Sequence, residues 1–121
     1  MYIEILMKIY ENFVDICQFI IDNNELSTEQ YEKLESLKNK FIELRRSIIK
    51  MQICNNNNIF ETFTNSIQEK AAALQNDINE FELHCQKIKT TALTVSILTD
   101  LLQIGTKLAS YAPQLLRKSN P

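Results

Sequence analysis

The chain has 121 residues and a formal net charge of −2, with 45% hydrophobic and 23% charged residues. This length and composition predict one globular domain and exclude an intrinsically disordered chain, and the acidic balance argues against general nucleic-acid binding. The single glycine is Gly105 and the two prolines are Pro113 and Pro121, so no residue from 1 to 104 breaks a helix by backbone geometry.

The first predicted helix carries an apolar stripe in steps of three and four residues, widened by Ile5, Cys17 and Ile21. The stripe consists of Tyr2, Leu6, Ile9, Phe13, Ile16 and Ile20. Asp22, Asn23 and Asn24 interrupt it. Ser27 then has the position of an N-cap, with Gln30 at the capping-box position, and this pair predicts where the second helix begins.

The second predicted helix repeats apolar residues on the same period until the asparagine run at residues 55–58, which favours a turn. Its stripe is Leu34, Leu37, Phe41, Leu44, Ile48 and Met51. The third stripe is Leu74, Ile78, Phe81, Cys85 and Ile88. Asn58 or Asn65 could cap this third helix, and a short separate helical piece could precede its body.

A fourth apolar segment, residues 91–112, follows without an obvious helix stop. A helix that continued from Ile59 to Ala112 would be about 80 Å long, too long to pack against two shorter helices. We therefore expect a break near residues 89–91. The predicted fold is all-α, an antiparallel bundle of four helices with coiled-coil-like packing, or three if the last two helices are continuous. The predicted domain spans residues 1–116, followed by a short polar tail at 117–121.

Charge is divided between the first two predicted helices. Residues 1–32 carry seven acidic residues and Lys8, whereas residues 33–50 carry six basic residues with Glu35 and Glu43. We expect the two helices to complement each other as a hairpin. The bases Lys38, Lys40, Arg45, Arg46 and Lys50 do not share one helix face, and no aromatic residues are interleaved for stacking, so nucleic acid is not an expected partner.

Catalytic patterns are missing from the sequence. His84 has no second histidine at metal-binding spacing, and Glu80 four residues earlier is typical of a surface pair. The three cysteines, Cys17, Cys54 and Cys85, form no CxxC pattern, which indicates reduced thiols. A single glycine cannot form a phosphate-binding loop. We expect no enzyme activity, no cofactor, no metal and no small-molecule substrate.

The segment 91–112 has two adjacent apolar seams, which leaves three interpretations open. The first seam is Ile97, Leu101, Ile104, Leu108, Tyr111 and Leu115, and the second is Leu98, Leu102, Gly105, Ala109 and Ala112. The segment could be the most buried helix of the bundle, it could pair with another protein, or it could bind a membrane surface. Asp100 near its middle excludes a membrane span.

We predict a non-enzymatic protein–protein interaction module, acting as a homo-oligomer or a small accessory subunit of another helical protein. The predicted interface residues are Ile97, Leu101, Ile104, Leu108 and Tyr111. The alternative is a membrane-surface or pore-associated protein, because the pattern of 91–112 resembles amphipathic lipid-packing sensors and the helix layout resembles helical pore-forming proteins. The start of the sequence, with Glu4 before any basic residue, does not read as a secretory signal, so we expect a cytoplasmic location.

Overall fold

The computed structural model describes residues 2–53 and 57–112, with side chains for 3–53 and 60–112. The helices in these ranges are α1 (Tyr2–Asn23), α2 (Thr28–Ile53), α3 (Asn57–Glu69), α4 (Ala71–Thr90) and α5 (Val95–Ala109). The prediction of an all-α fold is confirmed, with five helices in the described ranges instead of four. Cys54, Leu115 and the predicted tail at 117–121 lie outside the described residues.

The turn between α1 and α2 is closed by the predicted capping box. The backbone N–H of Ser27 donates to Oε1 of Gln30 at 3.0 Å, and the backbone N–H of Gln30 donates to Oγ of Ser27 at 3.1 Å. These two bonds satisfy N–H groups that the first turn of a helix leaves without partners. The predicted start of α2 is therefore confirmed.

Side-chain contacts show that α1 and α2 run in opposite directions. Arg45 on α2 lies 3.8 Å from a carboxylate oxygen of Glu11, and Nζ of Lys38 donates to Oε1 of Gln18 at 3.1 Å. Gln18, the later of the two α1 residues, thus contacts Lys38, the earlier of the two α2 residues. Of these two contacts, the Arg45–Glu11 pair joins opposite charges as predicted, although such an exposed pair contributes only a few tenths of a kcal/mol.

Of the two alternatives for the stretch after the asparagine run, the separate helical piece before the third stripe is the one present, because two helices, α3 and α4, occupy that stretch. They meet at Lys70, whose backbone N–H still bonds to the carbonyls of Ser66 and Ile67. A continuous helix over residues 57–90 would be about 51 Å long, whereas α2 is about 39 Å. On the α3 side of this break, Phe63 and Ile67 are both fully buried.

The predicted break before the last helix is confirmed. Helix α4 ends at Thr90 and α5 begins at Val95, so the continuous three-helix alternative is wrong. Thr94 caps α5, since its hydroxyl accepts the backbone N–H of Ile97 at 3.1 Å. The sequence pattern did not reveal this cap because no Glu or Gln occupies the capping-box position after Thr94.

Helices α4 and α5 form a second hairpin. The hydroxyl of Tyr111, just after α5, donates to Oδ2 of Asp77 at 2.6 Å, and Lys107 lies 3.8 Å from Glu80. The two hairpins pack together with α1 beside α4 and α2 beside α5, while α3 contacts α1, α2 and α4. The result is a helical bundle whose core receives apolar side chains from every helix.

Phe13 lies at the centre of this core. Its ring stacks on Phe41 of α2 with centroids 4.5 Å apart, and on Phe81 of α4 with centroids 5.0 Å apart. Its edge faces Gly105 of α5, where a Cβ atom would lie 2.6 Å from Cζ of Phe13 and 2.9 Å from Cδ2 of Leu37. One side chain of α1 therefore touches the three other long helices, and the contact with α5 requires a residue without a side chain.

We predict that Gly105→Ala destabilises the fold even though alanine is the better helix former. Overpacking a filled core costs about 1–3 kcal/mol, which exceeds the gain of about 1 kcal/mol in helix propensity. Urea unfolding should show a net loss of up to about 2 kcal/mol, whereas Gln103→Ala, at an exposed site of the same helix, should stay close to wild type. A more stable Gly105→Ala variant would show that the ring of Phe13 can withdraw.

Tyr10 joins α1 to the end of α5. It is fully buried, and its hydroxyl donates to the backbone carbonyl of Leu108 at 2.8 Å. Burial raises the pKa of Tyr10 well above the ordinary value of a phenol. Burial likewise raises the pKa of the Cys17 thiol to about 12. Both side chains are therefore neutral in the folded chain across the physiological range of pH.

This burial predicts a loss of stability at alkaline pH. Tyr10 titrates near pH 10 in the unfolded chain but higher in the folded chain, so its contribution is fully present below pH 10 and is lost as the pH rises above that value. The slope should reach about 1.4 kcal/mol per pH unit for this group. Tyr10→Phe should lose about 1 kcal/mol at pH 7 and unfold with a shallower alkaline slope.

Denaturant unfolding between pH 7 and 11 checks the prediction, with Tyr31→Phe as the control. Tyr31 is 45% exposed, so its removal should leave both stability and slope unchanged. Cys17 should retain its own share of the slope in both variants, because its thiol titrates at lower pH when unfolded. An unchanged slope in Tyr10→Phe would contradict the assignment.

Candidate functional site

The five predicted interface residues lie on the side of α5 that packs within the chain. Leu101 and Leu108 are 0% exposed, Ile104 is 1% exposed and Tyr111 is 9% exposed. Ile97 is half-buried and packs against the edge of the core. In this conformation the four buried residues present almost no surface to a partner, so a contact through them would require α5 to leave the bundle.

The second seam of α5 is also covered. Leu98, Gly105, Ala109 and Ala112 are buried, and Leu102 is half-buried against the core. One helix neighbour could not cover two seams, but α5 has two, because α4 and α2 both pack on it. The apolar face of residues 91–112 is thus occupied within the chain. In the described ranges, every helix is too short or too polar to cross a bilayer.

An open groove runs between α1 and α4 instead, and we call it the α1–α4 groove. One half, of about 430 Å³, is lined by residues between Glu4 and Asn12 of α1 and between Gln75 and Glu82 of α4. The other half, of about 480 Å³, continues from Asn12 to Phe19 and from Phe81 to Lys89. Asn12 and Glu82 line both halves, and the order of the lining residues shows that the two helices run parallel.

The floor of the α1–α4 groove is apolar and its rim is charged. The floor residues are Ile9, Ile16, Ile78 and Phe81, each at most 5% exposed, with Cys85 half-buried beside them. Ile5 at one end is 39% exposed, and Phe19 at the other end is half-buried. The charged rim consists of Glu4, Lys8, Asp15, Glu82 and Lys89. An apolar floor with a polar border is the usual form of a protein-binding groove.

A second groove, of about 510 Å³, lies between α2 and α5 and is less suited to binding a protein. Its lining is mainly charged or hydroxylated, with Leu37 and Leu102 as the apolar contributions. Two of its charges already pair with each other, since Lys33 and Glu29 lie 3.0 Å apart. Burying this surface would remove its solvated charges from water and break this ion pair.

The titratable groups of the described residues do not converge into a catalytic arrangement. His84 lies 3.7 Å from Glu80, which also lies 3.8 Å from Lys107, so Glu80 is a surface carboxylate shared between two bases. Burial raises the pKa of the Cys85 thiol to about 11, which leaves little thiolate at neutral pH. No group of three metal-binding side chains occurs among the residues that the structure describes.

No protein-family model matches this chain, and no similar curated protein or solved structure is found. The function must therefore be argued from the geometry alone. Among the described surfaces, the α1–α4 groove combines the exposed Ile5 and the half-buried Phe19 and Cys85 with charged borders, and it is the candidate functional site.

The interface prediction favoured α5 and did not include the groove. The signal for the groove was present in α1, where Ile5 widens the apolar stripe beyond what a single seam requires. That width shows only that a helix has more than one apolar neighbour. Whether the second neighbour is part of the same chain depends on how the helices assemble, and a stripe on one helix does not contain this information.

Truncation of the α5 seam separates a core role from an interface role. Leu108→Ala should lower the free energy of unfolding by about 2–5 kcal/mol, because it leaves a cavity in a fully buried site. Val95→Ala, at a site 71% exposed on the same helix, is the control and should change it by less than about 0.5 kcal/mol. If Leu108→Ala instead alters the oligomeric state and leaves the stability of the monomer unchanged, the seam is an interface.

Proposed function

We propose that this chain is a non-enzymatic protein–protein interaction module that binds a helix of its partner in the α1–α4 groove. The observation that carries the proposal is the open groove itself, in which the exposed Ile5 and the half-buried Phe19 and Cys85 lie above a buried apolar floor and between charged borders. Amphipathic helices bind such grooves by placing residues at i, i+3, i+4 and i+7 on the floor. The rim charges then select the orientation of the bound helix.

The packing beneath the groove supports a preformed site. We take α1, α2, α4 and α5 as a four-helix bundle of two antiparallel hairpins that α3 closes at one end, with α1 and α4 parallel to each other and not antiparallel as the sequence predicted. Phe13 of α1 stacks on Phe81 of α4 with planes 14° apart, directly under the floor. A rigid floor lowers the ordering cost of binding, so more of the contact energy contributes to affinity.

The partner in this proposal is a protein, either a second copy of the chain or another helical protein that takes it as an accessory subunit. Neither a cofactor nor a nucleic acid is required. Cys17 and Cys85 are free thiols, which supports a reducing compartment such as the cytoplasm. A membrane surface is less well supported, since the apolar face of α5 is used inside the bundle.

Site-specific photo-crosslinking tests the proposal. A benzophenone amino acid replaces Glu82, an exposed rim residue at the middle of the groove, in chains expressed in their native cells. The matched control carries the same group in place of Gln103, an exposed residue of α5. Position 82 should form adducts with one protein, identified by mass spectrometry as this chain or another, whereas position 103 should not. Equal adducts from both positions, or none from position 82, would overturn the proposal.

A further inference from the structure

The α1 side of the groove carries a stripe of residues centred on Asn12. Its members are Ile5, Lys8, Asn12, Asp15 and Phe19, in steps of three, four, three and four residues, and we call them the α1 stripe. All five line the groove. Ile5, Lys8 and Asp15 are exposed, whereas Asn12 and Phe19 are half-buried.

The chemistry of the α1 stripe is antisymmetric about Asn12. Moving outward from Asn12, one turn leads to Lys8 on one side and Asp15 on the other. Two turns lead to Ile5 and Phe19, each about 10 Å from Asn12 along the helix axis. The stripe is therefore apolar at both ends and neutral in the middle. Between the middle and the ends it carries a positive charge at Lys8 on one side and a negative charge at Asp15 on the other.

We propose that the groove's partner is a second copy of this chain, with the two α1 helices packed antiparallel about a twofold axis near Asn12. The inference rests on the proposed function of the α1–α4 groove and specifies its occupant. A twofold axis brings residue i against residue j and residue j against residue i. Lys8 then meets the partner's Asp15 twice, and Ile5 meets the partner's Phe19 twice.

The lack of an ion pair at Lys8 and at Asp15 within the described chain supports this arrangement. Neither Lys8 nor Asp15 forms an ion pair with any residue that the structure describes. Each can therefore pair with a second copy without first breaking a contact within its own chain. A parallel arrangement would instead place Lys8 beside the partner's Lys8 and Asp15 beside the partner's Asp15, so charge selects the antiparallel register.

Glu82 of α4 gives a further prediction. It lines both halves of the groove at the level of Asn12, so the twofold axis brings the two copies of Glu82 towards each other. Glu82→Gln should therefore strengthen the dimer, whereas loss of Lys8 or Asp15 should weaken it.

Charge reversal tests the inference by sedimentation velocity over a concentration series. Wild type should dimerise, and Lys8→Glu or Asp15→Lys alone should weaken the dimer by about tenfold or more, because each turns two attractive contacts into two repulsive ones. An equimolar mixture of the two single variants should regain wild-type affinity. In the mixed dimer the new Glu faces the new Lys, and the native Lys8 faces the native Asp15.

Matched controls carry the same charge changes away from the groove. Lys70→Glu and Asp100→Lys alter exposed sites on the α3–α4 junction and on α5, and should leave the dimer unchanged. At a concentration low enough to keep the wild type monomeric, circular dichroism should give wild-type melting curves for all four variants, since every altered site is exposed.

Three outcomes would overturn the inference: a wild-type monomer at every concentration, single variants that dimerise like wild type, or a mixture that does not regain affinity. If the chain is monomeric but position 82 crosslinks to a different protein, the proposed function stands and the second copy is excluded. If neither dimer nor specific crosslink is found, both fail.

Discussion

The bundle depends on how closely α5 can approach the ring of Phe13. That ring contacts α2, α4 and α5 at once, and its approach to α5 is possible because Gly105 has no side chain. Close-packed interiors respond to changes of a single methyl group, so this contact constrains the spacing of the four long helices together. Around it, the fully buried Tyr10, Leu101 and Leu108 complete a core without buried charged side chains among the described residues.

The same constraint explains why α5 has almost no free apolar surface for a partner and why the α1–α4 groove is open. Helix α5 is held by α4 on one side and α2 on the other, and Tyr10 and Asp77 bond to its carboxyl end. Helix α1 packs closely on α2, whereas its contact with α4 is centred on the stacked rings of Phe13 and Phe81. Large rings between two helices hold their backbones apart. Beyond those rings, the space between α1 and α4 is left as a groove with an apolar floor.

A groove of this kind suits association better than chemistry. Its titratable groups are exposed rim charges, and the thiol that lines it has its pKa raised by burial, so it is a weak nucleophile at neutral pH. In the proposed function, the rim charges act mainly on orientation and partner choice. The inward stripe of α1 builds the core, and its groove-facing stripe is the part that the proposal assigns to the partner.

The sequence by itself determined the helices and several of their ends. Periodic apolar stripes predicted the all-α fold, and the Ser27 and Gln30 pair located the start of α2, because caps and stripes act through neighbours three or four residues apart. Only the tertiary structure decided where α3 and α4 separate at Lys70, that both apolar seams of α5 are buried, and that a groove lies between α1 and α4. An apolar stripe indicates that one face of a helix must be covered, but the residues that cover it lie far away in the chain. Only the assembled bundle shows which helix faces remain uncovered.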